Sequence, residues 1–289
     1  MKRWLSSETG RGYLMISPPF VYAILLLAVP LALVLAMSVW TQDFLDIQRG
    51  FSMANYIEAW TNPLYQTLML RSLKIALITT LVTVLIAYPI AYYISFVVPD
   101  RQKPIWIFLI TIPFWTSYLM RIFLWKVILG FNGVVNGSLM ELGLIAEPLD
   151  FILYNQAAVV ITLSHAWVPF AVLPIFVTME RIDRSLLEAA RDLGDSPFWR
   201  LIRVTLPLSM PGVVAATLIV FVPTIGDYIT PRLVGGPDGL MIANMIEVQF
   251  KKSNNAPLGA ALAVSSMMLV TAVALIFVWL NRRHMTRRG

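Results

Sequence analysis

Residues 14–40 read LMISPPFVYAILLLAVPLALVLAMSVW and contain no charged side chain. A hydrocarbon layer of about 30 Å is crossed by about 20 residues of α-helix, so this run is long enough to span a bilayer. Backbone amides in lipid must be satisfied within the segment, which leaves the helix as its conformation. Five further apolar stretches repeat the pattern, at about 73–98, 105–129, 156–179, 212–234 and 258–280. The composition agrees. Hydrophobic residues make up 58% of the chain and charged residues 13%, where a soluble domain carries about a quarter charged. The fold class that follows is an all-α membrane protein with six transmembrane helices. There is no cysteine, which excludes a disulfide framework and thiolate metal sites.

The segment MKRWLSSETGRGY precedes the first run in the manner of a secretory signal. A signal's apolar region is only about 7–15 residues, so the run from Leu14 to Trp40 is expected to stay as the first transmembrane helix. Orientation follows from Lys and Arg. An N-in arrangement gathers Lys2, Arg3 and Arg11 on one side, with Arg101 and Lys103 between spans two and three. Arg181, Arg184, Arg191, Arg200 and Arg203 join them between spans four and five, and Arg282, Arg283, Arg287 and Arg288 in the tail. The opposite side holds Arg49, Lys251 and Lys252 in its loops. Arg71 and Lys74 sit at the outer edge of span two, where long stems snorkel. Both termini are therefore expected in the cytoplasm. The net charge of +6 belongs to these membrane edges, which makes the lipid bilayer the partner and does not point to nucleic acid.

Three regions result: residues 1–66 with the first helix and an outer loop, a helical core over 67–280, and a basic tail over 281–289. The outer loops carry turn-like and short helical pieces, too small for a soluble domain of their own.

One long polar stretch interrupts the core, at 180–211. Ser185 followed by Glu188 forms a capping box. Ala189 and Ala190 propagate a helix with a low-relief face. Gly194 suits a left-handed terminus. Ser196 caps a second helix with Pro197 at its first position. Pro207 and Pro211 are expected to end that second helix before the fifth span. The arginines of this loop are balanced by Glu180, Asp183, Glu188, Asp192 and Asp195. The stretch thus reads as two short helices meeting at a bend. Such an element is ordered before it docks, so little ordering entropy is lost on binding.

At these residues the chain resembles the permease subunits of bacterial ATP-binding-cassette (ABC) importers. Glu188, Ala189, Ala190, Gly194, Leu206 and Pro207 match that family's EAA pattern, with Val204 standing where the pattern has Ile. Further segments are similar to spermidine/putrescine-type permeases, among them IPFWTSYLMRIFLWKVIL, VPFAVLPIFVTMERIDRSLLEAARDLG and LPLSMPGVVAATLIVFVPTIGDYITPRLVGG. The likeness runs from about Leu68 to Val278. It implies a type I importer fold in the bacterial inner membrane, a five-helix unit with an added N-terminal helix. It makes 180–211 a coupling helix seated on a cytoplasmic ATPase. It also implies the partners: a second related permease, two ATPase copies and a periplasmic solute-binding protein. ATP and magnesium belong to the ATPase, and this chain binds no cofactor. The same subfamily serves aminophosphonates, opines and ferric iron, so the resemblance defines the machine better than the cargo.

The chain has no G-x-x-x-x-G-K-[ST], H-E-x-x-H or G-x-S-x-G, so nothing in it cradles nucleotide phosphates or builds a known hydrolytic centre. It has two histidines. His284 sits in the basic tail, and His165, alone in the fourth span, is expected to make an interhelical hydrogen bond. An ion-driven secondary transporter would need no docking loop and more intramembrane carboxylates. An intramembrane enzyme would need a paired nucleophile and base.

Ionisable residues at membrane depth default to function. In the fifth span, Pro223 and Gly226 loosen the helix just before Asp227 and Tyr228, with Arg232 beyond. In the third, Trp115, Tyr118 and Arg121 are spaced to share roughly one helical face. Two readings stand. In one, Asp227 attracts a cationic amine and the aromatics Trp115, Tyr118 and Tyr228 offer cation–π faces along the translocation path. In the other, Asp227 pairs with Arg121 or Arg232 and the aromatics are packing.

Overall fold

The computed structural model describes residues 8–44 and 46–285. Lys2, Arg3, Arg287 and Arg288 of the charge pattern lie outside the described residues. The chain divides into two compact units, one built from residues up to 62 with 246–265, the other from 63–245 with 266–289.

In the first unit, helix α1 (Glu8–Ser38) includes the apolar run Met15–Ser38. It is followed by a hairpin of β1 (Thr41–Asp43) and β2 (Asp46–Gln48), paired antiparallel with Thr41 opposite Gln48. Helix α2 (Ala54–Thr61) folds back onto the end of α1. The Tyr56 hydroxyl donates to Ser38 Oγ at 2.7 Å, and Asn55 Nδ2 donates to the Trp40 carbonyl at 2.7 Å.

The second unit is organised by three long helices that pack against one another: α3 (Pro63–Phe96), α7 (Gln156–Met179) and α10 (Leu206–Ile225). In lipid there is no hydrophobic drive between helices, so association depends on close backbone approach. The contact faces are accordingly small: Ala76, Ala87 and Ala91 on α3, Ala158 and Ala171 on α7, Gly212 and Ala216 on α10. At Gly212 the approach is extreme. A Cβ there would lie 2.5 Å from the Pro174 carbonyl oxygen and 2.9 Å from Ile175 Cα. Ile75, Leu163, Val172, Ile175, Met179 and Val220 fill the space between these faces. Tyr88 on α3 and Ser209 on α10 share a hydrogen bond at 3.0 Å.

Two spans are broken, the third and the fifth, the fifth at the Pro223–Gly226 stretch that is expected to loosen it. Helix α4 (Lys103–Thr111) continues as a 3₁₀ turn to Trp115, the backbone becomes extended at Thr116 and Ser117, and α5 (Tyr118–Ile128) leaves at 86°. The fifth span, expected over 212–234, stops at Ile225; after Gly226 the chain turns into the short helix α11 (Ile229–Val234). Between these elements lie α6 (Val134–Glu141) and, before α7, the loop that Asn136 clamps through both the N–H and the carbonyl of Leu149, each at 3.0 Å.

The prolines do not end the second elbow helix. Helix α9 (Pro197–Arg200) passes through a π-turn at Leu201–Thr205 straight into α10. Pro207 has no N–H to donate, and a widened turn is how a helix absorbs such a misfit. The Leu206 N–H accordingly reaches back to the Leu201 carbonyl. The apolar segment so formed runs over Pro197–Ile225. After α12 (Gly236–Gly239), helices α13 (Ile242–Lys251) and α14 (Ala256–Met285) complete the chain. Among the described residues five helices are long and apolar enough to cross a membrane, six if α4 and α5 count as one span.

Candidate functional site

The polar stretch at 180–211 folds as the expected elbow, with a different first cap. Helix α8 (Arg184–Asp192) is capped by Asp183, whose Oδ1 accepts the Ser185 N–H at 2.9 Å. Ser185 therefore lies inside the first turn and is not the capping residue. A carboxylate has the same geometric reach as a hydroxyl and adds attraction to the helix's positive end. The backbone hydrogen bond from Ser185 holds the Asp183 carboxyl below its ordinary 3.8. At the other end the Asp195 N–H bonds to Ala190 O at 3.0 Å and the Gly194 N–H to Arg191 O at 2.9 Å. This is a Schellman motif, and Gly194 carries its left-handed residue at φ +89°. Ser196 Oγ then accepts the Trp199 N–H at 3.4 Å.

Arg203 locks the bend. Its Nη1 donates to Asp195 Oδ1 at 2.9 Å, and its guanidinium sits 4.6 Å from the centroid of the Trp199 ring. Of the matched residues, Glu188, Ala189 and Gly194 are exposed, Ala190 is buried, and Leu206 and Pro207 are half-buried in the continuing helix. The sequence reading passed over Leu193, Phe198 and Trp199. Leu193 is 88% exposed and the two aromatics are exposed beside it. Their signal was legible as large apolar side chains in an otherwise polar loop.

The second cluster lies where the two spans break. The Tyr118 hydroxyl donates to Asp227 Oδ2, which also accepts the Thr230 hydroxyl at 2.6 Å. Asp227 Oδ1 accepts the N–H groups of Ile229 at 2.9 Å and Thr230 at 3.2 Å. Asp227 thus starts α11, as an N-cap does. Arg121 is buried, and its Nη2 donates to the Pro113 carbonyl at 2.6 Å and the Thr116 carbonyl at 3.3 Å. These carbonyls lie at the break in the third span, Pro113 in the 3₁₀ turn and Thr116 in the extended link, and backbone groups freed at membrane depth need such partners. No ion pair joins Arg121 to Asp227 among the described residues.

Trp115 does not share a face with Tyr118 and Arg121. The extended residues Thr116 and Ser117 interrupt the helical spacing, and Trp115 is 79% exposed. Tyr228 is partly exposed, with its carbonyl accepting Asn244 Nδ2 at 2.7 Å. A cavity of about 230 Å³ opens beside Tyr118 and Arg121, walled by Phe114, Trp167 and Phe170. These three aromatics were also passed over, although Trp167 and Phe170 stand one helical turn apart in α7. His165 is exposed and meets Trp125 of α5 edge-on, with ring centroids 5.3 Å apart, so its interhelical contact is an aromatic one and not the expected hydrogen bond. Among the described residues no three His, Asp or Glu side chains gather as a metal site.

Fold and family now converge. The chain superposes on a subunit of the bacterial alginate ABC transporter, in complex with an alginate pentasaccharide-bound periplasmic protein, with a TM-score of 0.73 at 15% identity, covering 95% of this chain and 94% of that one. The fold is therefore that of an all-α membrane chain of the same architecture as that subunit. Residues 77–286 match the family described as binding-protein-dependent transport system inner membrane component. The chain belongs to that family. It is similar to the spermidine/putrescine transport system permease protein PotB of Haemophilus influenzae, 37% identical over 270 residues, or 93% of each chain. The PotB of Escherichia coli is 35% identical over 268 residues, 92% of this chain and 96% of that one. The protein is accordingly a non-catalytic inner-membrane subunit of an ABC transporter.

Proposed function

We propose that this permease imports a polyamine such as putrescine or spermidine, delivered by a periplasmic binding protein. The observation that carries the cargo is the identity to spermidine/putrescine permeases over nearly the whole chain.

One such chain provides half of the pathway. A second, related permease faces it, and two copies of an ATPase, which bind ATP and magnesium, dock on the cytoplasmic side. Both termini lie in the cytoplasm. The capped elbow from Glu188 to Gly194, continued through Leu206 and Pro207, is the coupling element. It is seated by the exposed face around Leu193. Because α9 continues through the π-turn into α10, a displacement of the elbow passes along one continuous helix to the break at Gly226. There Asp227, Tyr118 and Tyr228 line the path, with Trp115 at its margin and Arg121 holding the break in shape. Closure of the ATPases draws the elbows together and turns the pathway outward; hydrolysis resets it.

Uptake of labelled putrescine and spermidine by cells carrying the complete transporter tests the cargo. Saturable uptake that needs this chain and ATP is expected. Transport of an aminophosphonate with polyamines excluded would overturn the reading.

A further inference from the structure

We infer that Lys103 is a positioning residue for the coupling elbow: it ties the turn between α3 and α4 to the elbow's root. This rests on the reading of 180–211 as the coupling element. Lys103 opens α4, and its side chain is only 7% exposed. Its Nζ lies 2.8 and 2.9 Å from the two carboxylate oxygens of Glu180 and 2.7 Å from Asp100 Oδ1. An ammonium has three donors and no acceptor, so each donor has a carboxylate oxygen to itself.

The acceptors are placed where force would pass. Glu180 is the residue on which α7 ends, and Asp183, three residues on, caps the elbow helix. Asp100 stands 3.6 Å from Arg184 Nη2, the first residue of that helix. The α3–α4 turn is thus bonded to the elbow's root on both sides of Ile182, which is itself buried with Met179 in the core between α3, α7 and α10.

Packing does not hold the polar side of this junction. A cavity of about 420 Å³ lies between Asp100, Lys103, Ile107, Phe176 and Glu180. The charges are the link there: the Lys103 side chain is 7% exposed, whereas Glu180 is 35% and Asp100 82% exposed, so it is the ammonium that depends on its partners for compensation. A movement of the elbow then carries α4, and with it the broken third span, as one body. Without Lys103 the elbow still has its cap and its bend, so it docks, but its movement is no longer passed to α4.

The test uses the complete transporter, with partner permease, ATPase and binding protein, in proteoliposomes. Lys103→Met is expected to assemble and to keep its basal ATPase rate. Stimulation by loaded binding protein is expected to fall about tenfold, within the usual range for coupling between sites. Glu180→Gln is expected to show the same split to a smaller degree, and Lys103→Arg to recover part of it. Unchanged stimulation in Lys103→Met overturns the inference. So does loss of assembly in step with loss of stimulation across all three variants, which marks a purely structural ion pair. Failure of the wild-type chain to co-purify with the ATPase is a different result, and overturns the coupling reading itself.

Discussion

The Tyr118 hydroxyl donates to the Asp227 carboxylate, joining the break in the third apolar segment to the break in the fifth. Neither break is a loose end. Arg121 satisfies the carbonyls of one, and Asp227 collects the amides of Ile229 and Thr230 at the other. The pair joins the two breaks.

Tyr118→Phe removes one of the donors on Asp227 and leaves the rest. A hydrogen bond to a carboxylate contributes about 1.5–3 kcal/mol, so uptake is expected to fall about tenfold at unchanged membrane levels. Asp227→Asn is expected to fall further, since it exchanges an acceptor for a donor facing Thr230. Labelled uptake, set against the amount of assembled complex, measures both. Normal uptake by Asp227→Asn would remove Asp227 from the path.

Gly194 is the hinge of the elbow for a backbone reason. A Cβ there would meet nothing within 4 Å, yet φ is +89°. An L-residue is strained in that region by about 1–2 kcal/mol, and Asn least among the alternatives. Gly194→Ala is expected to weaken ATPase association, Gly194→Asn less so. Glu188→Lys, at an exposed position, is expected to weaken association without changing the elbow's helicity. Binding of the purified ATPase to the reconstituted permease reads all three. Wild-type affinity in Gly194→Ala and Glu188→Lys together would sink the docking role.

The cap of α8 separates two neighbours. Asp183→Ala is expected to speed amide exchange across residues 184–192, and Ser185→Ala to leave it unchanged. The acid dependence has a definite sign. The folded Asp183 carboxyl lies below its ordinary 3.8, so its contribution is complete above that value and is lost as pH falls through the lower folded one. Protection of the α8 amides is therefore expected to stay flat from neutral pH to about pH 5 and to decline only in stronger acid.

Gly212 is the tightest point between α10 and α7. Gly212→Val drives a branched side chain into the Pro174 carbonyl, and overpacking of this kind costs about 1–3 kcal/mol. A lower midpoint of thermal unfolding in detergent is expected, with Ala216→Gly far milder. An unchanged midpoint would mean that α7 and α10 stand further apart than described.

Much of this is readable in the sequence. Apolar length marks every membrane-crossing helix, because lipid allows no other way to satisfy the backbone. The elbow was legible too, since Ser196, Pro197 and Gly194 act through local geometry. Asp183 was missed in favour of Ser185 because both satisfy the same local rule. The run of α9 through Pro207 was missed because a proline's effect depends on whether the preceding turn can widen.

The contacts at the breaks were out of reach for a different reason. A helical spacing placed Trp115 with Tyr118 and Arg121, and two extended residues undid it. Tyr118 reaches Asp227 across 109 positions of sequence, and Lys103 reaches Glu180 across 77. The sequence by itself determined which segments are long and apolar enough to cross a membrane and where the polar elbow bends, because both depend on neighbours along the chain. Only the tertiary structure decided that the third span breaks and which polar groups close both breaks, because a backbone freed within the membrane is stable only against partners that packing brings from elsewhere.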